Sequence, residues 1–470
     1  MKECAKLYLE KRGYVVNSEA LSIIEQCDNW YANRMVEDFH MRKNLNGADV
    51  QLNRMNFAKR CCADDANLCE IVSVVPEKKS DSKEFVKRLL ENNCFDVRYR
   101  EQLEKIAAVG TAGAYIYLQG ADYVENEKGV VTVKGGKICI NYVDADCTIP
   151  LTVENKLVTE CAFCATNTVK GVEKTTLVIF TKDITQDGER YKAETVVFDK
   201  MGAELPEENT ILQLGEVKPF SIMINAEVNN LDNMEGYGLP KVYNSIPMFM
   251  ALDLCYNLLY GDLDKGQKLV FINELLACIK TDDDGKPYLT QKQKEIFILL
   301  GEKLPSQDSI IKEYNPEIRI EEITKAFELV LSLLSMSFGY GTKKYTFENG
   351  RITTATEYIG TKQDCVQELN KQRKQAINYI TDIIHAAMWF SNQFIGTSYK
   401  VDEPLSVEFD DSYIVDREAE LERKRNDALS FDIPKLTVMY LMEAYNLTEE
   451  DAKAMLEEKN TPDTEGEEED

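Results

Sequence analysis

The stretch from Ile246 to Leu259 constrains this chain more than any other. Ile246, Phe249, Met250, Leu252, Leu254, Tyr256, Leu258 and Leu259 recur so densely that, wound as a helix, they fall on nearly every side. A helix apolar all round must be covered all round, by a large core or by several neighbours. It is not a membrane span: Asp253 and Asn257 interrupt it, and a span needs about 20 apolar residues. A second apolar helix is predicted from Ile320 to Phe338. Ile320, Ile323, Phe327, Val330, Leu331 and Leu334 form one stripe, which Leu329, Leu333 and Met336 widen. The predicted helices 242–265 and 320–338 bracket an insert, residues 267–317. That is the pattern of an antiparallel pair carrying a small domain at its far end.

The insert reads as a small α/β unit. Leu269 to Ile272 and Ser309 to Ile311 are strand-like, and Gln291 to Leu300 is helix-like. Its tip, Thr281 to Gly285, looks like a calcium loop, but Lys280 and Gln291 fall where the first and last carboxylates belong. An Asp-Gly turn fits better. After the second apolar helix comes a polar, glycine-punctuated loop, 339–353. Thr354 and Glu357 then stand at capping-box spacing. Helical signal continues to about Ser391, on the order of 55 Å at 1.5 Å per residue. Such a rod usually spans a structure.

Upstream, helices are predicted over 18–42, 53–75 and 82–110, with Gly110 and Gly113 marking a turn. From Ala114 to about Phe220 the apolar period changes to two, which predicts antiparallel hairpins. A loop occupies 229–240. Downstream, a strand is predicted at Leu405 to Phe409. Helices follow that are capped by Asp416, by Asp432 with Pro434, and by Thr448. The acidic end, 461–470, lacks apolar residues and is expected to be disordered. The fold class is therefore α+β, predominantly helical, and 470 residues give room for several cores.

Chemistry is harder to find. The net charge of −26 repels phosphate. That argues against a tight grip on nucleic acid, though not against a surface that DNA slides past. The N-terminal segment carries Glu3, Lys6, Glu10, Lys11 and Arg12 where a signal peptide needs an apolar run, so a cytoplasmic life is expected. Thirteen cysteines are scattered. Only Cys161-Ala162-Phe163-Cys164 has metal-like spacing, and His40 and His385 are the two histidines, too few for a zinc site of ordinary composition. Reduced, packed thiols are expected. There is no phosphate-binding loop and no nucleophile elbow. His385, beside Trp389, reads as a packed core residue. Asp64-Asp65 and Asp410-Asp411 could hold Mg²⁺ in a nuclease, but among 81 acidic residues such pairs arise by chance and read as solvated surface. No catalytic residue, metal or cofactor is expected. The competing classes are a structural ring component, a metal-dependent nucleic-acid enzyme, and an acidic scaffold or adaptor.

Several motifs then follow one another in a telling order. Trp30-Tyr31 is followed by Asn53-Arg54-Met55-Asn56-Phe57-Ala58-Lys59. Phe95 precedes Gly110-Thr111-Ala112-Gly113-Ala114-Tyr115-Ile116-Tyr117. Tyr142-Val143-Asp144-Ala145-Asp146 leads to Pro150, and Gly236-Tyr237-Gly238 leads to Ile246, Leu252 and Asp253. The most specific segment is Leu331 to Glu357: a helix ending in Ser337-Phe338-Gly339, a variable loop, then Gly350-Arg351-Ile352-Thr353-Thr354-Ala355-Thr356-Glu357. Val407-Glu408-Phe409-Asp410-Asp411-Ser412 comes last. In this order, over most of its length, the chain resembles the portal proteins of tailed bacteriophages, in particular the type common in siphophages of Gram-positive hosts.

The resemblance implies a ring of about twelve subunits at one vertex of the capsid. Residues 1–241 would form an N-terminal wing region, 242–266 a stem helix, 267–317 the clip and 318–338 the second stem helix. Residues 339–353 would be the tunnel loop, 354–411 the long wing helix and strand, and 412–460 a helical crown. Double-stranded DNA would pass through the channel during packaging and ejection. The terminase large subunit, the major capsid and scaffolding proteins, and a head-completion or tail adaptor would be partners, with no membrane involved. The protein would assemble in the host cytoplasm and end in the virion. Lys343, Lys344 and Arg351 would face DNA as a weakly attractive ring of cations, steadying phosphates without reading sequence.

Overall fold

The computed structural model describes residues 3–43, 46–76, 82–125, 131–169, 171–185, 188–266, 269–273, 297–300, 311–342, 344–347, 355–410, 417–431, 433–445, 447 and 449–460. The Thr281 to Gly285 turn, Thr354, Asp411, Asp416, Asp432, Thr448 and the acidic end lie outside them. The chain forms two compact units. One holds residues 1–69 and 74–406, the other 70–73 and 407–470.

The first unit begins with helix α1 (Glu3–Lys11), α2 (Ser18–Tyr31) and one turn, α3 (Glu37–His40). The single helix predicted over 18–42 is thus broken. Asn33 takes a left-handed backbone (φ 55°), and the chain leaves α3 as a hairpin of β1 (Met41–Lys43) and β2 (Asp49–Gln51). Next come α4 (Phe57–Asn67), β3 (Ile71–Pro76), α5 (Ser82–Asn92) and α6 (Phe95–Val109). The predicted helix 53–75 therefore stops at Asn67. Its β-branched end, Ile71-Val72-Ser73-Val74-Val75, is extended instead, as such residues favour. The predicted helix 82–110 is split at Cys94, whose φ is 50°.

The β-rich region holds β4 (Thr111–Gln119), β5 (Asp122–Glu125), β6 (Val131–Lys134), β7 (Lys137–Asp144), β8 (Thr148–Glu154), β9 (Leu157–Val169), β10 (Val172–Thr185), β11 (Gly188–Phe198), β12 (Thr210–Gln213) and β13 (Phe220–Ile224). Five strands make an antiparallel sheet in the order β12-β11-β10-β9-β8, and three make another in the order β13-β4-β7. Side chains alternate faces along each strand. One face of the five-stranded sheet presents Ile149, Ala162, Cys164, Leu177, Ile179, Val196 and Phe198 to α1, where Ala5 and Leu9 bury completely. Arg12 closes this layer with two hydrogen bonds to Glu194, at 2.8 and 2.6 Å, and Tyr8 donates a third at 3.0 Å. The other face meets the three-stranded sheet through a cluster of rings, Tyr115, Phe163, Phe180 and Phe220, with centroids 5.1–6.0 Å apart. Cys161 and Cys164, three residues apart on one strand, therefore point to opposite faces, which is why their metal-like spacing brings the thiols to no common point.

Gly113 was expected at a turn, but it lies inside β4, and a Cβ there would come within 2.6 Å of the Phe163 ring. Gly110 does turn the chain, ending α6 at φ 82°. A Cβ on it would stand 2.2 Å from the Gly238 carbonyl oxygen. The Gly110 carbonyl accepts the Asn225 N–H at 2.9 Å, and the Gly238 N–H donates to Thr111 Oγ1 at 2.9 Å. The two glycine motifs quoted from the sequence thus meet backbone to backbone.

Beyond the sheets, α7 (Lys241–Lys265) leads into β14 (Leu269–Asn273), β15 (Phe297–Leu300) and β16 (Ile311–Tyr314). These form a three-stranded sheet in the order β15-β14-β16, with β14 parallel to β15 and antiparallel to β16. Phe297–Leu300 was expected to end a helix; four apolar residues in a row suit a strand equally, and the sheet decides. The chain returns through α8 (Ile320–Ser337) to the long helix α9 (Ala355–Phe390), roughly 54 Å at 1.5 Å per residue. The C-terminal half of α9 lies on the β13-β4-β7 sheet, burying Tyr379, Ile380, Ile383 and Ile384. Tyr379 donates to Gln102, whose amide donates on to the Gly113 carbonyl at 2.8 Å. His385 is half-buried, its Nε2 3.0 Å from the Glu403 carbonyl.

In the second unit, Ser73 donates to Glu408 at 2.8 Å and the Asp410 N–H to the Glu70 carbonyl at 2.9 Å. This extends the pairing of β3 with β17 (Leu405–Phe409). Three helices follow, α10 (Arg417–Phe431), α11 (Pro434–Tyr445) and α12 (Glu449–Asn460), as the capping signals predicted. Lys424 and Glu443 tie the first two at 2.7 Å.

Candidate functional site

The pair α7 and α8 is antiparallel, pinned at one end by Ser245 and Ser337, whose hydroxyls are 2.7 Å apart. At the other end Arg319 grips Asp262 with two bonds of 2.7 and 3.0 Å. That guanidinium holds the Asp262 carboxyl below the usual carboxylate range. The first half of α7 is buried through Val242, Ile246, Phe249, Leu252 and Cys255. The second half is not: Leu258, Tyr260 and Leu263 are 51–54% exposed. On α8, Leu329 and Met336 are 63% and 58% exposed. The helix that is apolar on every side is covered on only part of its length by its own chain.

The two residues that interrupt the apolar run are the ones that dock it. Trp30 stacks on Phe249 at 6.2 Å. Asp253 Oδ1 accepts the Met55 N–H at 2.8 Å, and Asn257 exchanges two 2.8 Å bonds with the backbone of Asn53. His40 is 1% exposed; with its proton on Nε2 it donates to Asp253 Oδ2 at 3.2 Å and accepts the Val36 N–H on Nδ1 at 3.1 Å. Every polar atom in this node has a partner, which is what burial demands. The space beside it is only about 10 Å³, about one water.

A second polar node sits where α7 begins. Lys241 is 2% exposed, with Nζ 2.8 Å from Asp65 of α4 and 3.6 Å from Glu368 of α9. Tyr340 donates to the same Asp65 oxygen at 2.8 Å, and Lys371 lies 3.1 Å from Glu368. Burial alone would push the Lys241 ammonium down; Asp65, Glu368 and Glu227 outweigh it and hold it above the usual lysine value. Asp64 is also buried and accepts from Arg60 at 3.1 Å. The solvated-surface reading of Asp64-Asp65 is thereby corrected: both carboxylates face inward, each to its own cation. Nothing in the sequence marks this node except a lysine in the first turn of a helix, where the helix dipole disfavours a cation.

The Glu227 carboxyl is raised, chiefly by burial, with Glu368 and Asp65 adding to the shift and Lys241 opposing it. A carboxyl raised on folding contributes stability below its unfolded pKa and loses it as pH rises through the folded value. Glu227→Gln should therefore melt higher than the parent at pH 7–8, and the gap should close near pH 4. Thermal melts over that range check it.

The loop after α8 starts from a rigid base. Phe338, Tyr340 and Tyr345 are buried, and the Tyr345 N–H donates to Ser335 Oγ at 3.0 Å. Of the three predicted DNA-facing cations, Lys344 is half-buried, its Nζ 5.8 Å from the centre of the Tyr340 ring. Lys343 and Arg351 lie outside the described residues. The anchoring tyrosines were missed because a polar, glycine-rich sequence hides them.

A larger cavity, about 360 Å³, opens between the two sheets, lined in part by Tyr115, Tyr117, Asn141, Asn167, Thr176 and Phe180. Among the described residues its wall carries no carboxylate, lysine, arginine, histidine or cysteine. Among the described residues no three His, Cys, Asp or Glu side chains converge as metal ligands. No helix among them is long and apolar enough to cross a membrane.

No protein-family model matches the chain, and no curated protein matches it. Among solved structures, it is similar to a chain from the neck of a native GTA particle, computed with C12 symmetry. The identity is 11% and the TM-score 0.38, over 79% of this chain and 85% of that one.

Proposed function

We propose that this chain is a portal protein, one subunit of a ring of about twelve copies at a single vertex of a tailed-phage head. Double-stranded DNA would enter and leave through the central channel. The small sheet between α7 and α8 would dock the terminase large subunit, and later the tail adaptor. The protein would act as a conduit without a catalytic site. Lys344, with Lys343 and Arg351, would line the channel.

One observation carries this reading: an antiparallel helical pair that projects a small sheet and leaves large apolar side chains in water on both helices. Contiguous exposed apolar surface marks an interaction site. In a ring, each pair gains a neighbour on both flanks, which supplies the missing cover. The chain's order of elements and its net acidity, which disfavours sticking to DNA, support the same reading. The acidic scaffold or adaptor differs in having no central opening.

Native mass spectrometry and negative-stain imaging test the proposal. Rings with a hole wide enough for a duplex are expected. Leu258→Lys with Leu263→Lys should leave the secondary structure and melting of the chain unchanged, while raising the concentration for half-assembly at least 100-fold. A parent protein that stays monomeric at every concentration would end the reading.

A further inference from the structure

The hairpin β1–β2 has little support from the rest of the first unit among the described residues. All six of its strand residues are exposed, and its strands pair only with each other. A lone two-stranded ribbon is at best marginally stable in water. Its base, however, is held firmly. The Leu52 N–H bonds the His40 carbonyl at 2.8 Å, and the flanking residues His40, Asn53 and Met55 are fastened to Asp253 and Asn257 on α7. A weak ribbon on a rigid mount is the form of an arm that completes itself on another molecule.

Its chemistry says which. Residues 41–60 carry five cations (Arg42, Lys43, Arg54, Lys59, Arg60) and one carboxylate, Asp49, in a chain of net charge −26. Lys59 and Arg60 have carboxylate partners at home. Among the described residues Arg42 and Lys43 have none; the Arg42 guanidinium lies only over the Phe39 ring, at 5.4 Å. Met41 and Val50 add exposed apolar surface. This mixture fits an acidic, partly apolar surface, and the outer side of α8 is one: Glu321, Glu322 and Glu328 outnumber Lys325, beside exposed Leu329.

The levels agree. Asp253 lies midway between Ser245 and Asp262, and Glu328 midway between their partners Ser337 and Arg319. Rotation about an axis along the stem keeps every residue at its level. An arm mounted at Asp253 therefore stands level with Glu328 and Leu329 of the next copy. Three residues of strand reach about 10 Å, and packed helices lie about 8–10 Å apart. Arg42 and Val50 stand directly opposite each other and share one face of the ribbon, while Lys43 stands opposite Asp49 on the other. We infer that β1–β2 is an assembly arm that docks on α8 of an adjacent copy, Arg42 meeting Glu328 and Val50 meeting Leu329. This rests on the ring reading.

The test compares the full-length parent, Arg42→Glu, the same change with Glu328→Lys added, and Val50→Ser. Native mass spectrometry over a concentration series gives the half-assembly point, and melting of the dilute monomer gives the fold. The charge-reversed protein should need at least tenfold more chain to assemble, Val50→Ser should weaken assembly in the same direction, and Glu328→Lys should recover most of the loss, all without a change in melting. An unchanged half-assembly point, or loss without recovery, overturns the arm while leaving the ring intact. So does normal assembly with reduced retention of a short DNA duplex, which would make the arm a phosphate contact. A parent that never assembles overturns both the ring and the arm.

Discussion

Lys241→Met should destabilise the first unit by about 3–5 kcal/mol, because it leaves Asp65 and Glu368 buried beside an uncharged side chain. Both tryptophans, Trp30 and Trp389, lie in that unit, so their fluorescence during urea unfolding reads the effect. Adding Asp65→Asn to Lys241→Met should recover part of the loss, since the two residues are coupled and their effects do not add. The sign with pH follows from the raised lysine. Its contribution is full below the unfolded lysine value and fades only as pH climbs through the higher folded one. The gap between parent and variant should therefore hold steady from pH 6 to pH 9. A loss below about 1 kcal/mol would mean that the node is wetter than its geometry implies.

Gly110→Ala should be comparably severe, on the order of 4 kcal/mol. Two costs combine. The backbone is left-handed there, at φ 82°, and the new methyl would lie 2.2 Å from the Gly238 oxygen. Either α6 or the 236–240 loop has to move, and the bonds between Asn225 and Gly110 and between Gly238 and Thr111 go with it. Gly120→Ala is a useful control: it too has positive φ, at 68°, but nothing lies within 4 Å of its Cβ. It should cost about 1–2 kcal/mol. Equal losses at the two positions would show that conformation, and not close approach, governs Gly110.

What could be read from the sequence, and what could not, follows the range of the forces involved. Helices α7 and α8, the long helix and the strands of 114–220 show periodicities that burial imposes locally, so their places were legible. The breaks at Asn33 and Cys94 were not, since each depends on one left-handed residue chosen by its tertiary setting. The extended Ile71–Pro76 and Phe297–Leu300 were misread because short apolar runs suit helix and strand alike, and only pairing partners decide. The Lys241 node joins residues from α4, α7, α9 and the loop at Tyr340, so no local spacing announces it. Asp253 and Asn257 were visible as interruptions in an apolar run, but they were read only as excluding a membrane span; their role in docking the helix depends on Met55, Asn53 and His40, which lie about 200 positions away.

The clasp between Arg12 and Glu194 spans 182 positions of sequence. Helix α1 leaves the ribosome well before β11, yet the sheet it must cover is complete only once β11 has emerged. At ordinary rates of about 5–20 residues per second, Leu9 and its neighbours wait on the order of ten seconds or more without their apolar surface. A newly made copy thus passes through a stage with a bare outer layer. How quickly that layer closes bears on how much of the protein reaches its folded state at all.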